Sequence, residues 1–268
     1  MSRARRQSRG GWLPVYVVVY LVFLYLPVAL IPLFSFNDSV QAAFPLKGFT
    51  LGWYQGLAGN ETLRGALLTS IVIGLSAALI ATVCGITIAY GELAWGSRFH
   101  RLLSALARLP ILIPGVIIGI ALLIVVNMIG LGPSRIAIVL GHTLVALPTT
   151  VIVMRGAFQA IPRSIPEVAE DLGASEAIVF RRIMLPLALP SAASAFLLAF
   201  LTSFDEFIVA FFLAGTQPTL PLYIWNQLRF PRSLPTVMAL GTAILTFSIL
   251  IAGTAEIVRR RGLRRIPA

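Results

Sequence analysis

Residues 164–186 read SIPEVAEDLGASEAIVFRRIMLP. Ser164-Ile165-Pro166-Glu167 has the S-x-x-E spacing of a capping box, in which Ser164 accepts from the Glu167 amide and Glu167 reaches back. Pro166 falls in the first turn, where its missing N–H costs little. Ile165, Val168, Ala169 and Leu172 then recur at i, i+3, i+4 and i+7, which predicts one apolar stripe on a short helix. Glu167, Glu170 and Asp171 lie off that stripe. Gly173 is placed to end the helix. Ser175 is placed to cap a second short helix carrying Phe180, Arg181, Arg182 and Ile183, which Leu185-Pro186 closes.

On both sides of this loop the chain becomes almost wholly apolar. Of its 268 residues 58% are hydrophobic and 12% charged, and the mean hydropathy is +0.91. A soluble domain carries about 25% charged residues, so a bilayer is the solvent this composition fits. A spanning helix needs roughly 20 apolar residues. Six stretches qualify, at 12–34, 66–92, 103–129, 135–158, 188–214 and 236–258. The first is longer than a signal-peptide core of about 7–15 residues and reads as an uncleaved anchor. The expected fold is an all-α membrane protein of six helices, one domain over 1–268, with a cytoplasmic loop at 159–187.

Orientation follows from the basic residues, which concentrate in cytoplasmic segments. With six spans both termini share a side. That side receives Arg3, Arg5, Arg6, Arg9, Arg98, Arg101, Arg108, Arg155, Arg163, Arg181, Arg182 and the C-terminal arginines 259–261, 264 and 265. These are sixteen of the twenty-one basic residues. Both termini are therefore expected in the cytoplasm, with 35–65 and 215–235 outside. The net charge of +11 belongs to this pattern and not to nucleic-acid binding. Cys84 is the single cysteine and lies in an apolar run, which excludes a disulfide framework and a thiol pair within the chain.

The acidic character of the helix at 164–172 separates it from lipid-surface helices, which are rich in Lys and Arg. It favours a protein partner docked by a helix in a groove. In the third stretch, Leu109-Pro110, Pro114, Gly115 and Gly119 predict a bend and a close helix contact.

The loop resembles the EAA loop of binding-protein-dependent ABC importer permeases. The pattern is EAA, three residues, Gly, nine residues, I-x-L-P, and here it is Glu167, Val168, Ala169, Gly173, Ile183, Leu185 and Pro186. Val168 in place of the second alanine is the one departure. Phe34-Ser35-Phe36-Asn37, 48–54 (GFTLGWY), Ser203-Phe204-Asp205-Glu206-Phe207 and 220–225 (LPLYIW) are similar to the spermidine/putrescine permease subfamily. The resemblance implies a type I permease in a bacterial inner membrane, whose loop forms the coupling helix for an ATPase. It implies two ATP-binding subunits, a second permease that is a paralogue, and an external solute-binding protein. ATP and Mg would be used by the partner, with no cofactor or metal on this chain.

The residues agree on what the chain lacks. A P-loop needs G-x-x-x-x-G-K-[ST], and the single lysine, Lys47, follows Phe44-Pro45-Leu46. An intramembrane serine protease would need an activated Ser. Gly74-Leu75-Ser76-Ala77 lacks the second glycine of the rhomboid-like turn, and His142 is the histidine that would face it. An ion-coupled secondary carrier often shows an inverted repeat, and none is found. Asp205 and Glu206 stand inside the fifth apolar stretch, among Phe204, Phe207 and Phe211. An ionisable group there is a functional candidate, and a carboxylate beside aromatic faces suits an ammonium group. Structural pairing to another helix is the alternative reading. The two side chains point about 100° apart on a helix, so one of them is expected to face a pathway.

Overall fold

A computed structural model describes residues 12–263, with side chains to 260. The arginines counted above at 3, 5, 6, 9, 264 and 265 lie outside the described residues, as does the side chain of Arg261. The described residues are helical almost throughout. The one extended pairing among the described residues is an isolated antiparallel bridge between Asn37 and Phe49.

Two compact units are distinguished, 1–59 with 227–245, and 60–226 with 246–268. The first contains α1 (Trp12–Ser35) and α2 (Gly52–Ala58). Helix α1 is apolar on every face and buries only Phe34 and Ser35, as a helix solvated by lipid would. Beyond it the chain folds on Asn37, which is buried. Its Oδ1 accepts from the Lys47 amide at 2.9 Å, and its carbonyl accepts from Trp53 Nε1 at 3.0 Å. Ser35 Oγ and Tyr54 OH are 2.6 Å apart, and Phe36 stacks on Tyr54. The segments 34–37 and 48–54 thus form one local structure.

The second unit is built on α3 (Glu61–Trp95), followed by α4 (Arg98–Arg108), α5 (Gly115–Met128) and α6 (Arg135–Gln159). Then come α7 (Ser164–Asp171), α8 (Glu176–Val179), α9 (Leu185–Phe204), α10 (Ile208–Leu213) and α11 (Leu220–Gln227). The last helix, α12 (Leu234–Leu263), begins in the first unit and ends in the second. Helices α3, α6 and α9 pack against one another. Small residues make this possible. A Cβ on Gly85 would stand 2.6 Å from Thr150 Oγ1, and Thr150 Oγ1 donates to the Ala81 carbonyl at 2.8 Å. One buried cluster gathers Ala89, Met154, Phe158, Val179, Met184 and Ala188; another gathers Ile73, Ile118, Ile138, Val209 and Leu213.

Among the described residues five helices are long and apolar enough to cross a membrane. The stretch at 103–129 is not a continuous helix. It consists of Arg98–Leu112 and Gly115–Met128, bent by 113°, and counts as a sixth span only if the pair is taken together. The cause is local. Pro110 and Pro114 cannot donate, and Ile113 before Pro114 is extended at ψ 128, as pre-proline residues are. Helix α4 is also amphipathic, with Arg98, Arg101 and Arg108 beside exposed Phe99, Leu102 and Leu106. Helix α5 then lays Gly115 and Gly119 against α10, where a Cβ on Gly119 would meet the Phe212 ring at 2.5 Å. The stretch at 188–214 is likewise interrupted, between α9 and α10.

Candidate functional site: the coupling loop and the break in the fifth span

Helix α7 starts at Ser164, but the capping box does not form. Arg163 precedes it in a helical conformation, and the Glu167 amide donates to the Arg163 carbonyl at 3.2 Å with no side-chain cap. The chain enters already coiled, so backbone satisfies the amide that Ser164 was expected to serve. Ser175 does occupy the N-cap position of α8, without a side-chain hydrogen bond.

Gly173 ends α7 with φ +86. Its amide donates to the Glu170 carbonyl at 2.8 Å, and the Ala174 amide to the Ala169 carbonyl at 3.0 Å. This is a Schellman turn, whose left-handed residue favours glycine. The apolar stripe divides. Ile165 and Ala169 pack on the cluster around Met154 and Phe158, while Val168 and Leu172 are 55% and 84% exposed. The exposed pair stands beside the exposed Glu167, Glu170 and Asp171, an apolar and acidic surface.

Leu185-Pro186 does not close a separate helix. A π-turn over Phe180–Met184 joins α8 to α9, so Glu176–Phe204 runs unbroken. The Leu185 amide reaches the Phe180 carbonyl five residues back, and Pro186, without an N–H, follows at the start of α9, where one is not needed. Ile183 and Leu185 are half-buried and Pro186 is exposed. The buried anchor is Met184, at the unspecified position of the motif. Sequence reasoning also missed Tyr90, whose ring lies 4.4 Å from that of Phe180 and 5.7 Å from that of Phe158. An aromatic near the end of an apolar stretch was the available signal. Beneath α7 and α8 lies a cavity of about 710 Å³ lined by Tyr90, Trp95, Glu167, Glu170 and Glu176 among others.

At the other candidate region α9 stops at Phe204. Glu206 Oε1 accepts from the Val209 amide at 3.0 Å and opens α10. A carboxylate suits exposed amides at a helix start, and inside a membrane those amides need an acceptor. Asp205 is exposed and its side chain has no hydrogen-bond partner among the described residues. Phe204 is buried against Phe200, with the exposed Phe247 ring beside it. Phe207 goes elsewhere. It meets Phe211 and Trp225 at 5.7 and 5.4 Å and lines a cavity of about 220 Å³ with Val116 and Phe212. The break therefore separates the four residues grouped in the sequence. His142 does not face Ser76; its Nδ1 is 2.8 Å from Ser203 Oγ, with both residues buried.

Among the solved structures that resemble this fold are ABC transporters. One is a bacterial ABC transporter involved in the import of the acidic polysaccharide alginate, at a TM-score of 0.68 and 18% identity over 93% of both chains. Another is the inward-facing MetNI methionine ABC transporter, at 0.59 and 18% identity over 82% of this chain and all of that one. At this identity they show the fold, an all-α type I ABC importer permease architecture. Sequence relatives are nearer. The spermidine/putrescine transport system permease protein PotC of Haemophilus influenzae is 29% identical over 92% of this chain and 95% of its own. The putrescine transport system permease protein PotI of Escherichia coli K12 is 30% identical over 88% and 86%. The profile of one family covers residues 81–264, and with them the loop at 164–186 and the break after Phe204: the chain belongs to the binding-protein-dependent transport system inner membrane components.

Proposed function

We propose that the chain is the permease subunit of an ATP-driven importer of polyamines such as spermidine or putrescine. The observation that carries this is the loop at 164–186. An acidic helix ends in a Schellman turn, holds Ile165 and Ala169 against the core and leaves Val168 and Leu172 outward. The polyamine permeases among its relatives support the substrate class. In this reading Glu167, Ala169, Gly173, Ile183, Leu185 and Pro186 form the coupling element. Two ATP-binding subunits use ATP and Mg. A paralogous permease completes the path, and an external binding protein delivers the solute. Movement of the coupling helix reopens the spans by alternating access.

The substrate path includes Asp205, with Phe207 and Phe211 close in sequence. A polyamine losing hydration needs charge in exchange, and an unpaired carboxylate supplies it without binding so tightly that the solute cannot leave. Glu206 is already committed to the Val209 amide. Asp205→Asn is expected to lower uptake of labelled putrescine about tenfold, the equivalent of one lost charge contact, with assembly intact. Glu206→Gln keeps an acceptor and should transport near the wild-type rate. Wild-type uptake by Asp205→Asn would remove the carboxylate from the path.

Both termini lie in the cytoplasm in this reading. Reporter fusions at Gly48 and Gln217 are expected to read external, and fusions at Gly96, Arg163 and the C-terminus cytoplasmic. An external signal at Arg163 would overturn the orientation and the docking role together.

A further inference from the structure

A second cavity, of about 300 Å³, lies where the ends of α3 and α6 meet α4 and the start of the coupling loop. Its polar lining is Glu92, Arg101, Arg155, Gln159 and Arg163. Glu92 Oε1 pairs with Arg155 Nη2 at 3.1 Å, and the Glu92 side chain is 13% exposed. Its other oxygen, Oε2, is buried and has no partner. Arg101 and Arg163 have no ion-pair partner among the described residues. Three arginines thus line one cavity with a single carboxylate already half-used.

Two demands follow. The free guanidinium groups call for an oxyanion, which Arg binds through paired N–H donors. The orphaned Glu92 oxygen calls for a donor, since a buried unsatisfied acceptor costs about 1–3 kcal/mol. A bare anion meets the first demand and not the second. An organic cation meets the second and is repelled by the first. A phosphodiester carrying a hydroxyl group meets both. The cavity adjoins α4, an Arg-bearing amphipathic helix of the kind that lies in the membrane interface. Exposed Phe99, Leu102 and Leu106 on that helix, with exposed Trp95 at the end of α3, offer apolar surface to acyl chains.

We infer that this cavity binds the headgroup of an anionic, hydroxyl-bearing glycerophospholipid, with the phosphate on Arg101 and Arg163 and a headgroup hydroxyl on the Glu92 carboxylate. Basic pockets between spans take such headgroups. The inference rests on the chain residing in a membrane and not on the polyamine reading or on which termini face the cytoplasm. Lipid bound here would hold α3, α4 and the residue that precedes α7 in one arrangement.

The test uses the purified full chain in detergent. Retention of phosphatidylglycerol, phosphatidylmethanol and phosphatidylcholine is measured by native mass spectrometry. Phosphatidylglycerol should bind most tightly. Phosphatidylmethanol, a phosphodiester without the hydroxyl, should bind several-fold more weakly, and phosphatidylcholine should not be retained. Arg101→Gln should weaken phosphatidylglycerol binding about tenfold, the value of one charge-assisted contact. Arg98→Gln removes the same charge from α4 outside the cavity and should leave binding unchanged. Equal losses in the two variants would reduce the effect to diffuse charge and overturn the site. Equal binding of phosphatidylglycerol and phosphatidylmethanol would overturn the role of Glu92. Glycerol 3-phosphate binding as tightly as the lipid would replace the membrane ligand by a soluble one.

Discussion

Gly173→Val is expected to lower ATP-dependent uptake tenfold or more while the protein still inserts in the membrane. The left-handed φ of +86 at this residue is where an L side chain is strained. Nothing lies within 4 Å of the position a Cβ would take, so the substitution adds no clash and acts through the backbone alone. The strain is about 1–3 kcal/mol, and β-branched valine lies at the upper end. Helix α7 has eight residues and buries none of them fully, so little else holds its end. The turn should open, and the outward set of Val168, Leu172 and Glu167 should lose its register. Gly173→Asn is the matched control, because asparagine enters the left-handed region more readily than other side chains. It should keep most of the activity. Uptake and co-purification of the ATPase subunit are the measurements. Valine and asparagine variants that both behave as wild type would remove the turn from the coupling mechanism.

Gly85→Leu is expected to abolish accumulation of folded protein, and Gly85→Ala to lower its Tm. Here the problem is space. A single Cβ would stand 2.6 Å from Thr150 Oγ1, 2.7 Å from its Cβ and 3.0 Å from its carbonyl carbon. The last is backbone and cannot rotate away. Separating α3 from α6 would also stretch the Thr150 hydrogen bond to Ala81. Overpacking costs about 1–3 kcal/mol and the lost bond about 1 kcal/mol more. Gly156→Ala provides the contrast. It lies on α6, nothing is within 4 Å of its Cβ position, and alanine should be neutral or raise the Tm slightly. Thermal unfolding in detergent separates the two. An unchanged Tm for Gly85→Ala would contradict the close approach of α3 and α6.

The long apolar stretches were legible because a bilayer imposes a length and a composition on every crossing. Expected and observed ends differ by five residues or fewer at 12–34, 66–92, 135–158 and 236–258. Prolines 110 and 114 announced the bend at 109–114, but not that it would turn the chain by 113°, because the angle depends on where α4 finds packing on α3 and α6. The interruption at 205–207 carries neither glycine nor proline. It arises when Glu206 captures the Val209 amide, a local competition that hydropathy does not register. Ser164 failed as a cap because the preceding turn placed Arg163 in a helical conformation, which depends on how α6 ends. The EAA loop was readable for the opposite reason. Gly173 needs a backbone geometry that one residue type favours. Met184, the buried anchor, was unreadable because any residue of suitable volume fills that position.

The π-turn that carries α8 into α9 gives the loop a mechanical meaning. Glu176–Phe204 is one helix of 29 residues, roughly 40 Å long at about 1.5 Å per residue, with Pro190 inside it. A displacement near Gly173 is therefore applied at one end of that helix. Leverage follows from length: a tilt of about five degrees at the loop end moves the far end by roughly 4 Å. That far end is Phe204, directly before Asp205 and the interruption, so a small tilt at the loop end is delivered there as a displacement comparable to the width of an alkylamine chain.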